Sequence, residues 1–285
     1  TAVGNAAIRS NVDGFENTGF GNAALLFNTS GSDNTALGNL ALRNSVTGSR
    51  NLAGGSESLM NNNDGSDNVA IGYQALLANT GGSNNTAIGS HANVSSGGLS
   101  NATAIGANAT VNASNKIRLG NAAVTVIEGQ VAYTFPSDGR FKTNVCESIK
   151  GLDFIMRLRP VAYNFQAGKY EAFISGRANE YAQTASNVSY TESEQVRHNG
   201  FIAQEVEQAA SEAGYVFDGV IKPRSSKEAY GLSYSQFVVP LVKGMQEQQQ
   251  QIEQMQQVID KLSQSQSATD GGAINSIAIS NTRLE

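Results

Sequence analysis

Short apolar segments that end in glycine recur at a nearly constant interval through the first 120 residues. Each consists of two mainly apolar residues and a glycine, as in Ala36-Leu37-Gly38. The glycines are Gly4, Gly21, Gly38, Gly54, Gly72, Gly89, Gly106 and Gly120, with spacings of 17, 17, 16, 18, 17, 17 and 14 residues. A period of this length indicates a stack of repeated structural units.

Each repeat predicts one short strand, such as residues 34–37, then a glycine turn, a second apolar pair such as Ala41-Leu42, and an Asn/Ser/Gly loop. We expect asparagine and glycine to supply the left-handed backbone positions at the corners. One unit is too small to bury a core, but stacked units share backbone hydrogen bonds and an apolar interior. Residues 1–121 are therefore predicted to form a β-solenoid or β-roll shaft whose rungs rise about 4.8 Å each.

The side chains available for the interior of this shaft are small. They are mostly Ala, Ile and Leu, so a single chain would have a thin core. Three chains packed about a threefold axis would cover each other's apolar strips, and we predict a homotrimer for this reason. Rows of Asn, Ser and Thr, expected on the outside of the shaft, are compatible with glycan binding and equally with a passive spacer.

The repeat stops after Gly120. Residues 122–136 are predicted to form a β junction, because residues 122–135 contain apolar and β-branched residues typical of one or two strands. Pro136 ends this pattern.

Apolar positions spaced alternately by three and four residues begin at Val238. They predict a coiled-coil helix over residues 238–262, in which Pro240 is tolerated in the first turn. The seam is interrupted only by Gln248 and consists of Val238, Leu241, Met245, Ile252, Met255, Ile259 and Leu262. The alternative is an amphipathic helix packed on its own domain. Residues 263–285 are Ser-, Gly- and Asn-rich and predict a disordered tail.

Composition excludes several classes of function. The net charge is −5 with no long basic run, so nucleic-acid binding through phosphate contacts is not expected. The single cysteine, Cys146, allows no intrachain disulfide and no multi-cysteine zinc site. We expect no cofactor, no metal site and no membrane insertion, because no apolar run reaches the length of a span. The chain is interpreted as a fragment of something longer.

Four motifs follow the junction in a fixed order. The first is Ser137-Asp138-Gly139-Arg140-Phe141-Lys142, and the second is the segment Leu-Arg-Pro-Val-Ala-Tyr-Asn-Phe over residues 158–165. The others are Gly-Phe-Ile-Ala-Gln-Glu-Val over 200–206 and the segment over 230–243. Together they resemble the peptidase S74 family, the C-terminal intramolecular chaperones of endosialidase-type phage tail spikes. The repeats resemble head repeats of trimeric autotransporter adhesins and shaft repeats of phage fibres.

The resemblance implies a chaperone domain over residues 137–237 that trimerises the chain, guides folding of the shaft and then cuts itself off. It implies Ser137 as nucleophile, Lys142 as base, Arg140 in a supporting role, and cleavage between Ser137 and Asp138. Lysine can act as a base only where its pKa is lowered by desolvation or a nearby cation. Whether attack occurs within one chain or between neighbours is open, and some relatives keep the domain attached.

The combined fold class is a mainly β, trimeric N-terminal shaft followed by an α+β chaperone domain that ends in a coiled-coil helix. The first functional hypothesis is the distal part of a phage tail fibre or surface fibre, with single-turnover self-cleavage and location in the virion. The second is a bacterial cell-surface adhesin with a retained domain and a glycan-binding shaft. A hydrolase acting on other molecules is a third hypothesis, and no acid/base pair or cofactor motif supports it.

Overall fold

A computed structural model describes residues 1–176 and 189–281, with side chains up to residue 265. The chain forms two compact units. The first contains Thr1–Thr134, Ala162–Asn199 and Pro223–Ala229, and the second contains Phe135–Val161, Gly200–Lys222 and Tyr230–Glu285. These units differ from the predicted division at residue 137, because two segments of the predicted chaperone domain pack with the shaft.

The shaft is a β-solenoid of about seven turns, as the repeat predicts. One short strand from each repeat joins a single eight-stranded sheet, in which neighbouring strands run parallel. In chain order its strands are β1 (Ala2–Val3), β2 (Thr18–Phe20), β3 (Thr35–Leu37), β4 (Leu52–Gly54), β5 (Val69–Ile71), β6 (Thr86–Ile88), β8 (Ala102–Ile105) and β10 (Lys116–Leu119). β7 (Asn93–Val94) and β9 (Thr110–Val111) form a second, two-stranded parallel sheet.

The length of successive repeats in the structure is more regular than the glycine spacing in the sequence suggests. Ala36 pairs with Ala53, and Leu37 pairs with Gly54, so Gly54 occupies a strand position rather than the corner. The corner residue is Gly55, with φ +136°, and the spacing on either side of it is therefore 17 residues. A Cβ at Gly38, where φ is +146°, would collide with the Gly55 carbonyl oxygen of the next rung. Only glycine permits both the dihedral and this close approach.

Other left-handed positions in the shaft are not reserved for asparagine, contrary to the sequence-based expectation. The residue at the turn before each strand has a positive φ in successive rungs whatever its type. The members of this row are Glu16, Asp33, Arg50, Asp67, Asn84, Asn101 and Asn115. Local preference contributes at the Asp and Asn members, but at Glu16 and Arg50 the rung geometry imposes the conformation.

Small residues fill much of the interior of the shaft. The middle residue of each strand points inward, and Ala36, Ala53 and Ala70 are fully buried. A row of leucines from the second apolar pair of each repeat completes the core, including Leu42 and Leu59. The apolar interior is thus continuous along the shaft, which is how units too small to fold alone stabilise one another.

One row of repeat asparagines lies inside the shaft and forms a ladder, whereas the sequence predicts asparagine rows on the outside. Asn34, Asn51 and Asn68 are at most 2% exposed. The Oδ1 of Asn34 accepts the backbone N–H of Asn51 at 3.0 Å, and the Oδ1 of Asn51 accepts that of Asn68 at 3.0 Å. Each amide thereby satisfies backbone groups of the next rung that would otherwise be buried without partners.

Replacement of Asn51 by alanine tests this ladder. The change removes the bonds from Asn51 Nδ2 to Gly65 O and from Asn68 N–H to Asn51 Oδ1, leaving buried groups unpaired. We expect a loss of about 2–4 kcal/mol in the free energy of unfolding, measured by denaturant unfolding of the full chain. Asn39→Ala, at an exposed position of the same repeat, is the matched control. Equal stability of the two variants would contradict the role of the ladder.

Within the single chain, the β junction predicted over residues 122–136 does not form a strand. Residues 121–138 contain no strand, and the side chains of Val131, Tyr133 and Phe135 are at least 73% exposed. A strand needs a partner for its backbone N–H and C=O groups, and none of the described residues supplies one.

The remainder of the first unit is a small α/β segment. Strands β11 (Val161–Asn164) and β12 (Arg197–Gly200) form a two-stranded sheet. Helices α2 (Ala167–Ser175) and α3 (Thr191–Gln195) accompany it.

The second unit contains α1 (Leu152–Ile155), α4 (Ala203–Glu212), the antiparallel pair β13 (Val220–Ile221) and β14 (Gly231–Leu232), and the long helix α5 (Val238–Asn281). Its core surrounds Phe154, which is fully buried and packs with Val206 and Phe237. The α+β character predicted for this region is confirmed. Helix α5 extends beyond residue 262, where the sequence placed the end of the coiled coil, and includes residues 263–281 of the predicted disordered tail. Residues 282–285 of the predicted tail lie outside the described residues.

Candidate functional site

The Ser-Asp-x-Arg-x-Lys motif folds into one tight turn. A 3-10 helix spans Gly139–Phe141, and Asp138 caps it by accepting the Arg140 N–H at its Oδ1 at 2.9 Å. With about three residues per turn, this helix reverses the chain between the two ends of the motif. Residues five apart in sequence are thereby placed side by side.

Ser137 and Lys142 are in direct contact. The Nζ of Lys142 donates a hydrogen bond to the Oγ of Ser137 at 2.7 Å. A neutral lysine amine at this position could accept the hydroxyl proton and make the serine a nucleophile. Both side chains are exposed in the single chain. Neither side chain is therefore shielded from water within one chain.

Arg140 lies beside the pair but is bound to Asp138. Its Nη2 and Nε donate to the Asp138 Oδ2 at 2.6 and 2.9 Å. The side-chain hydrogen bond from Arg140 holds the pKa of Asp138 below its usual range. Arg140 thus binds the residue that follows Ser137 and has no hydrogen bond to Ser137 or Lys142 among the described contacts.

Comparison with protein families decides the identity of this region. Residues 137–215 match the family model for peptidase S74, described as the chaperone of endosialidase. This segment belongs to the peptidase S74 family. The match begins at Ser137 and includes the second and third sequence motifs. No curated protein and no solved structure shows a significant match to the chain.

The seam of the helix that follows the S74 segment is unoccupied within one chain. All seven predicted seam residues are exposed, from Leu241 at 46% to Met245 at 70%. The opposite face packs on the domain instead: Pro240 and Gly244 are buried, and Glu247 accepts the Leu152 N–H at 2.8 Å.

Two glycines allow this packing between helix α5 and helix α1. A Cβ at Gly151 would lie 2.6 Å from the Gly244 nitrogen, so the two backbones meet without side chains between them. The helix does pack on its own domain, as the alternative hypothesis holds, but through a different face. Its apolar seam remains available to another molecule.

A second apolar surface runs along the shaft. The outward residue of successive strands is apolar in all but one rung and is between 40% and 59% exposed. This outer row consists of Val3, Phe20, Leu37, Ile71, Ile88, Ile105 and Leu119, with Gly54 in the fourth rung. Monomeric proteins rarely expose an apolar strip of this extent, which marks an interaction surface.

A buried ion pair near the end of the shaft was missed by the sequence reasoning. Glu171, in α2, is fully buried and accepts a hydrogen bond from Arg118 of β10 at 2.6 Å. Burial raises the pKa of the Glu171 carboxyl, although Arg118 and the Ala122 N–H oppose this effect. No sequence signal pointed to the pair, because its members are 53 residues apart and match none of the motifs.

The described part of the chain holds no cluster of three or more His, Cys, Asp or Glu residues arranged for a metal ion. In the same residues, no helix is both long and apolar enough to cross a membrane.

Proposed function

We propose that this chain is the distal part of a homotrimeric fibre in which the S74 domain acts as an intramolecular chaperone for the shaft. The S74 segment and the β-solenoid together fit a trimeric fibre. The observation that carries the proposal is the pair of uncovered apolar surfaces, the outer row of the shaft and the seam of α5. Both are covered if identical chains associate in parallel.

The number of chains follows from the shaft and the family more than from the helix. With Val238 at position a, the a positions also include Ile252 and Ile259, and the d positions include Leu241 and Leu262. In parallel coiled coils, β-branched residues at a with leucine at d favour two strands. Three chains are proposed because S74 domains belong to trimeric fibres. The thin core of the shaft also supports an assembly of three chains.

We further propose that Ser137 and Lys142 release the chaperone. Neutral Lys142 takes the hydroxyl proton while Ser137 Oγ attacks the carbonyl carbon of a Ser137–Asp138 bond. An ester forms, the bond to the Asp138 nitrogen breaks, and that nitrogen receives the proton from Lys142. Water then hydrolyses the ester and leaves a carboxylate on residue 137.

The attacking serine belongs to a neighbouring copy in this proposal. Attack by Ser137 on the carbonyl of its own residue would close a strained β-lactone ring. Attack between copies has no such strain, and association of the chains would also supply the missing desolvation. Cleavage would then take place only in assembled fibres.

The alternatives of a phage tail fibre in the virion and an adhesin on a bacterial cell surface share this architecture. S74 domains occur in both phage tail fibres and surface proteins. The adhesin alternative included glycan binding by exposed Asn rows. Because many of these side chains are buried in ladders, that argument for a glycan partner is weakened.

Expression of the shaft without the chaperone tests the proposed function. Residues 1–135 alone are expected to be largely insoluble, because parallel β-structure aligns slowly and its exposed strand edges aggregate. The soluble fraction after expression is compared with that of the full chain carrying Ser137→Ala, which keeps the chaperone attached. Soluble, folded trimers of residues 1–135 at the yield of the full chain would rule out a chaperone role.

A further inference from the structure

The last rungs of the shaft are packed against segments that follow the proposed cleavage site. Residues 162–199 and 223–229 belong to the same compact unit as residues 1–134. A cut beside Ser137 removes the covalent connection between these segments and the shaft. It does not remove their contacts.

The first contact is the buried ion pair. Arg118 lies on the terminal strand of the eight-stranded sheet, and its Nη2 is 2.6 Å from the Glu171 Oε2. The same oxygen accepts the Ala122 N–H at 3.0 Å. The Glu171 side chain is fully buried and that of Arg118 is 14% exposed. Separation of Arg118 from Glu171 would leave a buried carboxylate without a charged partner. That state is costly unless water reaches the Glu171 side chain.

The second contact involves Lys227, on the segment over 223–229. The Nδ2 of Asn112 donates to the Lys227 carbonyl oxygen at 2.6 Å. The Nζ of Lys227 donates to the Ser95 carbonyl oxygen at 3.1 Å. Ser95 and Asn112 each directly follow a strand of the second shaft sheet, β7 and β9.

An aromatic contact adds to the ion pair. The guanidinium of Arg118 lies over the ring of Tyr170, 5.7 Å from its centroid. Arg118 therefore contacts two consecutive residues of α2. Helix α2 thus contacts the end of the shaft through the Arg118–Glu171 ion pair and the Tyr170 ring, and the segment over 223–229 contacts it separately through Lys227.

We propose that the end of the shaft is a binding surface for the chaperone fragment, so that the fragment stays bound after cleavage and leaves in a separate step. This inference rests on the proposed cleavage beside Ser137. The partner is the chain's own residues 138–285, recognised by Arg118 through Glu171. Cleavage and release are thereby two events, and the strength of the Arg118–Glu171 contact determines the interval between them.

The experiment uses the full chain with Ser137→Ala and a site for an added protease in place of residues 128–131, which are exposed. After digestion, the two fragments are separated by size-exclusion chromatography. We expect them to elute together in this background. With Glu171→Ala added, we expect at least a tenfold loss of co-elution. Glu192→Ala, at an exposed carboxylate of α3, is the matched control and should keep the fragments together.

Arg118→Ala removes the same ion pair from the shaft side and replaces Glu171→Ala if that variant fails to fold. Separation of the fragments directly after digestion in the Ser137→Ala background would overturn the proposal. Equal co-elution with Glu171→Ala and Arg118→Ala would also overturn it. Because the added protease makes the cut, either result is independent of whether Ser137 cleaves the natural chain.

Discussion

Ser137→Ala is expected to leave the chain whole, while the unaltered protein is cut into residues 1–137 and 138–285. Loss of a catalytic serine or its base slows hydrolysis by at least about 10⁴-fold. The exposed Ser137 side chain packs in no core, so the variant should still fold and associate. Intact mass measurement of freshly purified protein distinguishes the two outcomes and gives the position of the cut.

Variants of Lys142 separate basicity from charge. Lys142→Ala removes the base, and Lys142→Arg keeps a positive charge that cannot lose its proton, so both should fail to cleave. Ser148→Ala and Lys150→Ala change exposed residues of the same segment and should cleave normally. Wild-type protein that remains whole while fully assembled would contradict self-cleavage by Ser137 and Lys142.

Mixed assemblies distinguish attack between copies from attack within one chain. A tagged Ser137→Ala chain is co-expressed with untagged wild type, and mixed fibres are isolated through the tag. Attack between copies should cut part of the tagged chains after residue 137, because a neighbour supplies the serine. Tagged chains that remain whole beside cleaved wild-type chains would contradict the proposed geometry.

Ile252→Asp combined with Ile259→Asp is expected to abolish the trimer. Both residues occupy a positions of the seam, where identical residues of all chains meet in one layer. Each buried carboxylate without a partner costs about 3–5 kcal/mol, and each layer would contain one from every chain. Light scattering at micromolar concentration should show a fall from three chain masses to one.

The matched control places the same two charges away from the seam. Gln250→Asp and Gln257→Asp have the same spacing but occupy f positions, which face solvent in a coiled coil. This variant should retain the mass of the unaltered protein. If the unaltered protein has the mass of one chain, neither the apolar seam of α5 nor the outer row of the shaft mediates association. If it has the mass of two chains, the seam mediates association but the proposed threefold shaft is wrong.

The Ile252/Ile259 variant is also expected to lose cleavage, since the proposed mechanism requires a neighbouring chain.

Much of the fold was predictable because its determinants are periodic. Glycines such as Gly38 recur where only a residue without a side chain fits beneath the next rung. The three-and-four spacing from Val238 to Leu262 indicates a helix with one apolar face. Ser137 and Lys142 were found through motif resemblance, and their 2.7 Å contact follows from the local turn that the motif itself forms.

The tertiary structure alone decided which side chains are buried and which segments pack together. Asn51 is polar and typical of a loop, yet the rung stacking turns its side-chain amide inward, where Nδ2 donates to Asn34 Oδ1 and Oδ1 accepts the Asn68 N–H. The apolar alternation of residues 122–135 resembles a strand, but a strand forms only beside a partner. Glu171 and Arg118 meet because α2 folds back onto the last rung. Contacts between residues this distant in sequence depend on the path of the whole chain, so repeat period, helix phase and local motif carry no information about them.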